Sequence, residues 1–407
     1  MTYDLIIIGA GPGGLMAAVE AARKGYSVLV LEKNDRPGKK LLVTGSGQCN
    51  LTNDLPLQEF LKHYHEKSRT AGKAIRQFPP EVLIKWFETA GVPMETTISG
   101  KVFPKSRKSS DVLQALLRQA EISAVKLICG RRVVSIEQMD TGFTVTTANQ
   151  SFSSKQVLIA TGGCSYPSLG TTGDGFEFAV SLGHHIVPPR PSLAAVYISN
   201  YLMADLAGLT ISPASLTLWR EEKKMADYTG DLLMTHGGLS GPVILNHSRD
   251  FQSSDVLTLN LAAPFKEEKF AAFLLEKLNE SGKRQVRTAL MNEMIPKRLI
   301  EKILTMAEIP EALPCSQLSK EQRRRVVKLT TQMPFRVKNV AGYDEAMATA
   351  GGIDTEEINA AAMESRIVPG LYFAGEVIDI DGMTGGFNLQ FAFSSGFTAA
   401  HALKKRR

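Results

Sequence analysis

The sequence predicts an α/β protein in which a Rossmann-like parallel sheet is split by an inserted domain with a β part followed by an α-helical part. Three observations carry this. The chain opens with an apolar strand, a glycine turn, an amphipathic helix and a second strand. Between Ser192 and Met333 its character changes, first to short period-two segments and then to charged helical ones. From Leu371 it returns to strand, glycine turn and helix.

The opening unit reads as a dinucleotide cradle. Leu5 to Ile8 form a short apolar run suited to a strand covered on both faces. Gly9, Gly11 and Gly14 follow as G-x-G-x-x-G. The first permits a tight turn, the second lets a pyrophosphate approach the backbone, and the third lets helix and strand pack closely. Leu15, Ala18, Val19 and Ala22 then repeat at i, i+3, i+4 and i+7, Gly25 ends the helix, and Ser27 to Leu31 form the next strand. Glu32 closes the unit, where an acid accepts hydrogen bonds from an adenosine ribose. A glycine turn without ligand is the bland alternative. The combination of strand, glycines, helix, strand and acid in register argues against it.

Composition bounds the rest. A chain of 407 residues exceeds one ordinary core, so two or three domains are expected, and 43% hydrophobic with 22% charged residues is a globular balance. No run is long and apolar enough for a membrane span, and the first strand begins at once with no leader, so a cytoplasmic protein is expected. Cys49, Cys129, Cys164 and Cys315 are far apart, which indicates neither a disulfide framework nor a zinc ribbon. The net charge of +6 is concentrated between Phe265 and Phe335, with fourteen Lys and Arg against nine acids. Such a bias recruits nucleic acid or is simply a solvated helical face, and both readings stay open.

Along the chain, Pro37 and Gly38 turn into Lys39 and Lys40, and Gly45, Ser46 and Gly47 let the backbone approach a flat ligand beside Gln48, Cys49 and Asn50. Leu57 to Gly91 read as mainly helical with Trp86 and Phe87 in a core. His63 and His65, two apart, read as surface residues rather than a metal site. A helix over Asp111 to Ala120 and a strand over Lys126 to Cys129 precede a period-two meander from Arg131, which ends in a buried strand, Gln156 to Ala160. Small residues Thr161, Gly162 and Gly163 follow it, and a helix starts near Asp174. Prolines 188, 189 and 191 mark a boundary, giving expected domains of 1–190, 191–335 and 336–407. The insert divides into a β part, about 191–262, with a glycine-rich loop Thr235 to Pro242, and a helical part, 263–335. After the strand Leu371 to Ala374, glycines 375, 382, 385 and 386 precede a helix from about Asn388 to Ala402, a second place for negative charge.

The segments GAGPGG with Glu32, TGSGQCNLTN, IATGGCSYPSLGTTGDGF and GLYFAGEVIDIDGMTGGFNLQFAFSSG together resemble the YhiN/BaiN-like family of flavoproteins, built like glutathione reductase and fumarate reductase. THGGLSGPVIL in the insert is similar to that family too. The resemblance implies FAD in the cradle and makes the β part of the insert a small β-barrel. It places Gly11 and Pro12 at the pyrophosphate, Glu32 at the adenosine ribose and Lys40 with Leu41 on the next loop, and counts Gly9, Gly14 and Lys33 among the cofactor-binding residues. Val133 would meet the adenine, Thr161 and Gly162 the adenosine side, and Thr44, Gly45 and Asn50 the flavin region. Gly375 and Glu376 stand where the wider group has Gly-Asp on the phosphate or ribityl chain. Gly386, Asn388 and Leu389 would present backbone N–H groups to the flavin's pyrimidine edge, where a helix N-terminus stabilises the reduced form's charge.

The expected function is an FAD-dependent oxidoreductase passing hydride through the flavin between NAD(P)H and a small organic substrate. No second G-x-G-x-x-G follows a strand, so a separate nicotinamide domain is not expected. Two other readings stay open: a nucleic-acid-associated, RNA-modifying flavoprotein, suggested by the basic insert, and a flavin-binding module without turnover. Candidate catalytic groups are His236 in THGGLSGP, as a proton donor, and Cys49, as a thiol beside the flavin. For both, the bland alternative is a surface histidine and a packed small hydrophobe.

Overall fold

The computed structural model describes residues 2–290 and 295–404. Residues 291–294, inside the segment expected to be helical, lie outside the described residues. The chain divides into two compact units, Met1–Ser192 with Tyr343–Arg407, and Leu193–Gly342.

The first unit is α/β. Five strands run parallel in the order Leu371–Phe373, Ser151–Ile159, Thr2–Ile8, Val28–Leu31, Lys126–Ile128, with Ile6 beside both Val157 and Leu29. The four residues of Val28–Leu31 are all buried, as are Ile6 and Ile7, the pattern of a parallel sheet covered on both faces. The meander Val133–Met139, Gly142–Thr147 joins the sheet antiparallel to the N-terminal half of Ser151–Ile159. Its alternating pattern follows from having one buried face. Helix Pro12–Arg23 packs against the C-terminal helix Phe387–Ala402 at glycine positions. A Cβ on Gly396 would lie 2.2 Å from the Gly13 carbonyl oxygen, so only glycine permits this approach.

Pro188, Pro189 and Pro191 directly precede the division between the units after Ser192. They lie in strand Ile186–Ser192, which pairs antiparallel with Ala348–Ile353 through an irregular register between Val187 and Arg190. A two-stranded ribbon tolerates the missing N–H groups because each strand has an edge with no ladder to break.

The second unit contains a closed six-stranded barrel in the order Val196–Ile198, Gly238–Ser240, Lys223–Met234, Thr210–Arg220, Val256–Asn260, Met333–Val340, the last strand returning to the first. Leu216 and Leu218, Leu257 and Leu259, and Met333, Phe335 and Val337 fill it at period two. Between the fifth and sixth strands come helices Glu267–Ser281, Val286–Leu290, Lys297–Met306 and Lys320–Thr331. The unit therefore runs to Gly342 rather than ending at 335. The sixth strand lies beyond the helices in sequence, and residues 336–340 belong to the barrel they help to close. Similarly, part of the glycine-rich loop, Gly238–Ser240, is a barrel strand; a Cβ on Gly238 would fall 2.0 Å from the Val196 oxygen across the ladder. His63 and His65 are half-buried rather than surface residues, and the His63 ring stacks on Phe387 at 4.1 Å.

Candidate cofactor cleft

The C-terminal ends of four parallel strands converge on one cleft. Ile8 and Gly9, Leu31 to Lys33, Ala160 to Gly162, and Ala374 to Glu376 all line it, as expected where ligands meet open α/β sheets. The cleft holds about 1260 Å3 of empty space, open solvent at its mouth included.

The three cradle glycines have different structural roles. Gly9 has φ +102°, and its Cβ would lie 2.4 Å from the Ala160 oxygen; a Cβ on Gly14 would lie 2.1 Å from the Gly9 oxygen. Both positions are closed by protein packing. A Cβ on Gly11 would meet nothing within 4 Å, although Gly11 lines the cleft and caps helix Pro12–Arg23. The space beside Gly11 thus faces the cleft at a helix N-terminus, where backbone N–H groups lack intrahelical acceptors and an anion gains roughly 0.3–2 kcal/mol. Pro12 at the first helical position costs no hydrogen bond there.

At one end, Glu32 is buried. Its carboxylate accepts from the Ala10 N–H at 2.8 Å and from both the backbone and the side-chain N–H of Asn34 at 2.9 Å. It therefore fixes the glycine turn, and Glu32 also lines the cleft with acceptor capacity to spare. Lys33 points into a second cluster, donating to Thr172 at 2.6 Å and to Asp174 at 2.9 Å. Burial alone would raise the Asp174 carboxyl, but Lys33, Thr172 and Arg132 outweigh it and hold the carboxyl below its ordinary range. Asn34 also donates to the Leu169 carbonyl at 3.1 Å, tying the acidic strand end to the loop after strand Ser151–Ile159. Val133, Thr161 and Gly162 complete this end.

Farther along, Lys40 donates to Glu376 at 2.6 Å and to Ser165 at 2.5 Å. Glu376 also accepts from Ser165 at 3.0 Å and from the Thr349 N–H at 2.7 Å. The extra methylene of Glu, relative to Asp, carries its carboxylate into this network, so its partners here are protein groups. Leu41 and Thr44 line the cleft beside them, and Asn388 and Leu389 bring the first turn of helix Phe387–Ala402 to it. The Asn388 side chain closes the preceding turn, accepting from the Gly382 N–H at 2.8 Å and donating to its carbonyl at 2.7 Å.

Gly14, Gly45, Asn50 and Gly386 stand behind the lining rather than in it. A Cβ on Gly45 would lie 2.8 Å from the Asn50 nitrogen, and one on Gly386 2.6 Å from the Thr52 oxygen. In the amide orientation that satisfies its neighbours, Asn50 donates to the Thr52 carbonyl and accepts from the Gly386 N–H. That N–H is therefore already used within the turn.

Of the two candidate catalytic residues, Cys49 belongs to the first unit but is not among the residues that line the cleft. Cys49 is fully buried and packed in the first unit's core. Burial pushes its thiol up to about 12, with only partial opposition from Thr44, so it is a protonated core residue and not a reactive thiolate. His236 lies in the second unit with an exposed side chain. Sequence reasoning missed Asn34, Arg132, Asp174, Ser165 and Thr349. An acid opening a helix after a glycine turn was a readable signal for Asp174. Nothing marked Thr349, which becomes important only when strand Ala348–Ile353 returns beside the Gly163 turn.

Helix N-terminus, open glycine, ribose acid and a long strand-end cleft fit FAD: Glu32 at the ribose, Gly11 and Pro12 at the pyrophosphate, Asn388 and Leu389 toward the flavin. Comparison with known proteins points the same way. The family described as HI0933-like protein Rossmann domain matches residues 3–402. A 3-dehydro-bile acid delta(4,6)-reductase of Clostridium scindens is 30% identical, with 98% of each chain covered. A ribosomal RNA dihydrouridine synthase of Escherichia coli is also 30% identical, again with 98% of each covered. A 3-ketosteroid delta1-dehydrogenase of Sterolibacterium denitrificans, 14% identical, has a TM-score of 0.51 over 99% of both chains, a likeness of fold. With nearly the whole chain matched and the cradle built as its glycines require, the protein belongs to the HI0933-like family of Rossmann-type flavoproteins.

Proposed function

We propose that the protein is an FAD-dependent oxidoreductase that uses NAD(P)H to saturate a carbon–carbon double bond conjugated with a carbonyl group. The observation that carries the cofactor reading is the Gly11 position, where the backbone leaves ligand space beside a helix N-terminus and no protein atom fills it. The reaction class is supported by what two relatives' names have in common. A 3-dehydro steroid with 4,6-unsaturation and a uridine base both carry a double bond conjugated with a carbonyl, and both names denote its reduction.

When bound, FAD supplies the two-electron transfer. Overall, NAD(P)H and a proton are consumed and the double bond gains two hydrogens. The chain's own part is to hold and polarise. Glu32 and the Lys33–Asp174 cluster fix the adenosine end, and Lys40, held by Glu376, brings a cation beside the cleft. The first turn of helix Phe387–Ala402 faces the other end with N–H donors that favour developing negative charge. A direct visit by NAD(P)H suits a chain with a single glycine cradle.

The test is anaerobic. NADH or NADPH is expected to bleach the flavin's visible band, and a conjugated enone or a uridine-containing RNA to restore it, whereas a saturated ketone leaves it bleached. A flavin that neither nucleotide reduces, or that no conjugated acceptor reoxidises, overturns the reading.

A further inference from the structure

The helical part of the second unit carries a groove whose lining holds more positive than negative charge. The groove lies between helix Glu267–Ser281 and helix Lys320–Thr331 and encloses about 1550 Å3 of space, open solvent included. Its floor is apolar, with Leu274 and Val327 buried and Leu275 43% exposed. Its rim carries Lys266, Lys320, Arg323 and Arg324. Elsewhere on this segment several cations are paired: Lys277 with Glu280 and Arg325 with Glu308, both at 2.8 Å, and Arg287 with Glu301. The four rim cations make no ion pair among the described residues. Two carboxylates, Glu267 and Glu268, also line the groove, and Gln332 donates to Glu267. Four cations against two carboxylates leave the lining at +2.

We propose that this groove binds the phosphodiester backbone of RNA. Lys320, Arg323 and Arg324 stand at i, i+3 and i+4, which makes a row along one helix edge for successive phosphates. Two neighbouring guanidiniums offer bidentate recognition of phosphate oxygens, and the apolar floor accepts base faces. The choice of RNA over another polyanion rests on the reductase reading, because uracil, the RNA base, carries the conjugated double bond.

The experiment uses the full-length, FAD-loaded protein and a fluorescent, uridine-rich single-stranded RNA titrated at several salt concentrations. Four phosphate contacts on a single strand give a slope of log K against log salt of about −3. Arg323→Glu with Arg324→Glu is expected to weaken binding at low salt by tenfold or more and to flatten the slope by about 1.4, two contacts' worth. An unchanged circular-dichroism spectrum and unchanged resistance of residues 193–342 to limited proteolysis show that the variant's second unit is folded; Arg323→Gln with Arg324→Gln, with no new charge, should give a smaller loss in the same direction. Wild-type affinity and slope in both variants overturn the proposal. So does a polyglutamate peptide whose binding is lost in the variants while RNA binding is kept, which would identify an acidic protein partner. Reduction of a conjugated steroid ketone by a protein that binds no RNA removes the groove proposal alone. RNA bound through the groove without reduction of any conjugated acceptor removes the reductase reading alone.

Discussion

Gly11 and Gly14 belong to one motif, yet side chains added to them should fail differently. At Gly11 the backbone is extended, with φ −82°, and a Cβ meets no protein atom within 4 Å. Gly11→Val is therefore expected to leave apo-protein stability within about 0.5 kcal/mol of the original, the usual range for surface changes, while abolishing FAD binding. Urea unfolding of the apo-protein and flavin content of the purified variant check the two halves. Asp174 gives a pH prediction. Its folded-state carboxyl lies below the ordinary 3.8, so the stability it contributes is complete above that value and lost as pH falls through the lower folded one. Asp174→Asn is expected to lower stability at neutral pH and to flatten the acid limb of a stability profile below 3.8, as measured by denaturant midpoints across pH. An unchanged acid limb would mean the Lys33 cluster holds nothing in place.

At the level of elements, the cofactor geometry depends on two helices being pressed together. Helix Pro12–Arg23 and helix Phe387–Ala402 both start at the cleft, and their approach relies on Gly13 and Gly396, where an added Cβ would lie 2.9 Å from the Ala392 oxygen or 2.2 Å from the Gly13 oxygen. Gly396→Val must separate the helices, which overpacks the interface at a cost of roughly 1–3 kcal/mol. The expected result is a lower denaturant midpoint together with weakened FAD affinity, because both N-termini shift. A variant with normal stability and normal flavin content would show that the pair yields without cost.

Over the whole molecule, the seams of the second unit lie within a single ribbon. Pro191 pairs with Thr349 and Ser192 with Ala348, so the chain leaves and re-enters the first unit on adjacent strands. The two hydrophobic cores share no residue. Removing residues 193–342 and joining Ser192 to Tyr343 through a short glycine-serine linker is expected to give a folded, FAD-binding protein, since every cleft-lining residue stays. Flavin content after reconstitution is the measurement. A folded product that takes up no FAD would show that the second unit contributes to cofactor binding.

The sequence by itself determined what depends on local order: the strand–glycine–helix–strand unit, the acid after its second strand, the period-two meander, and the β-then-helical character of the insert. These are legible because each follows from backbone sterics and side-chain period within a few residues. Only the tertiary structure decided what depends on residues far apart in sequence. Strand Met333–Val340 closes a barrel begun at Val196, which moved the boundary from 335 to 342. Strand Ala348–Ile353 delivers Thr349 to Glu376 and, with Ser165, turns that carboxylate toward Lys40, a network that no motif spacing encodes. Burial, too, is a property of the assembled core. Cys49 in its glycine-rich loop reads equally well as a nucleophile or as filler, and it is the surrounding protein, by removing water, that keeps its proton on.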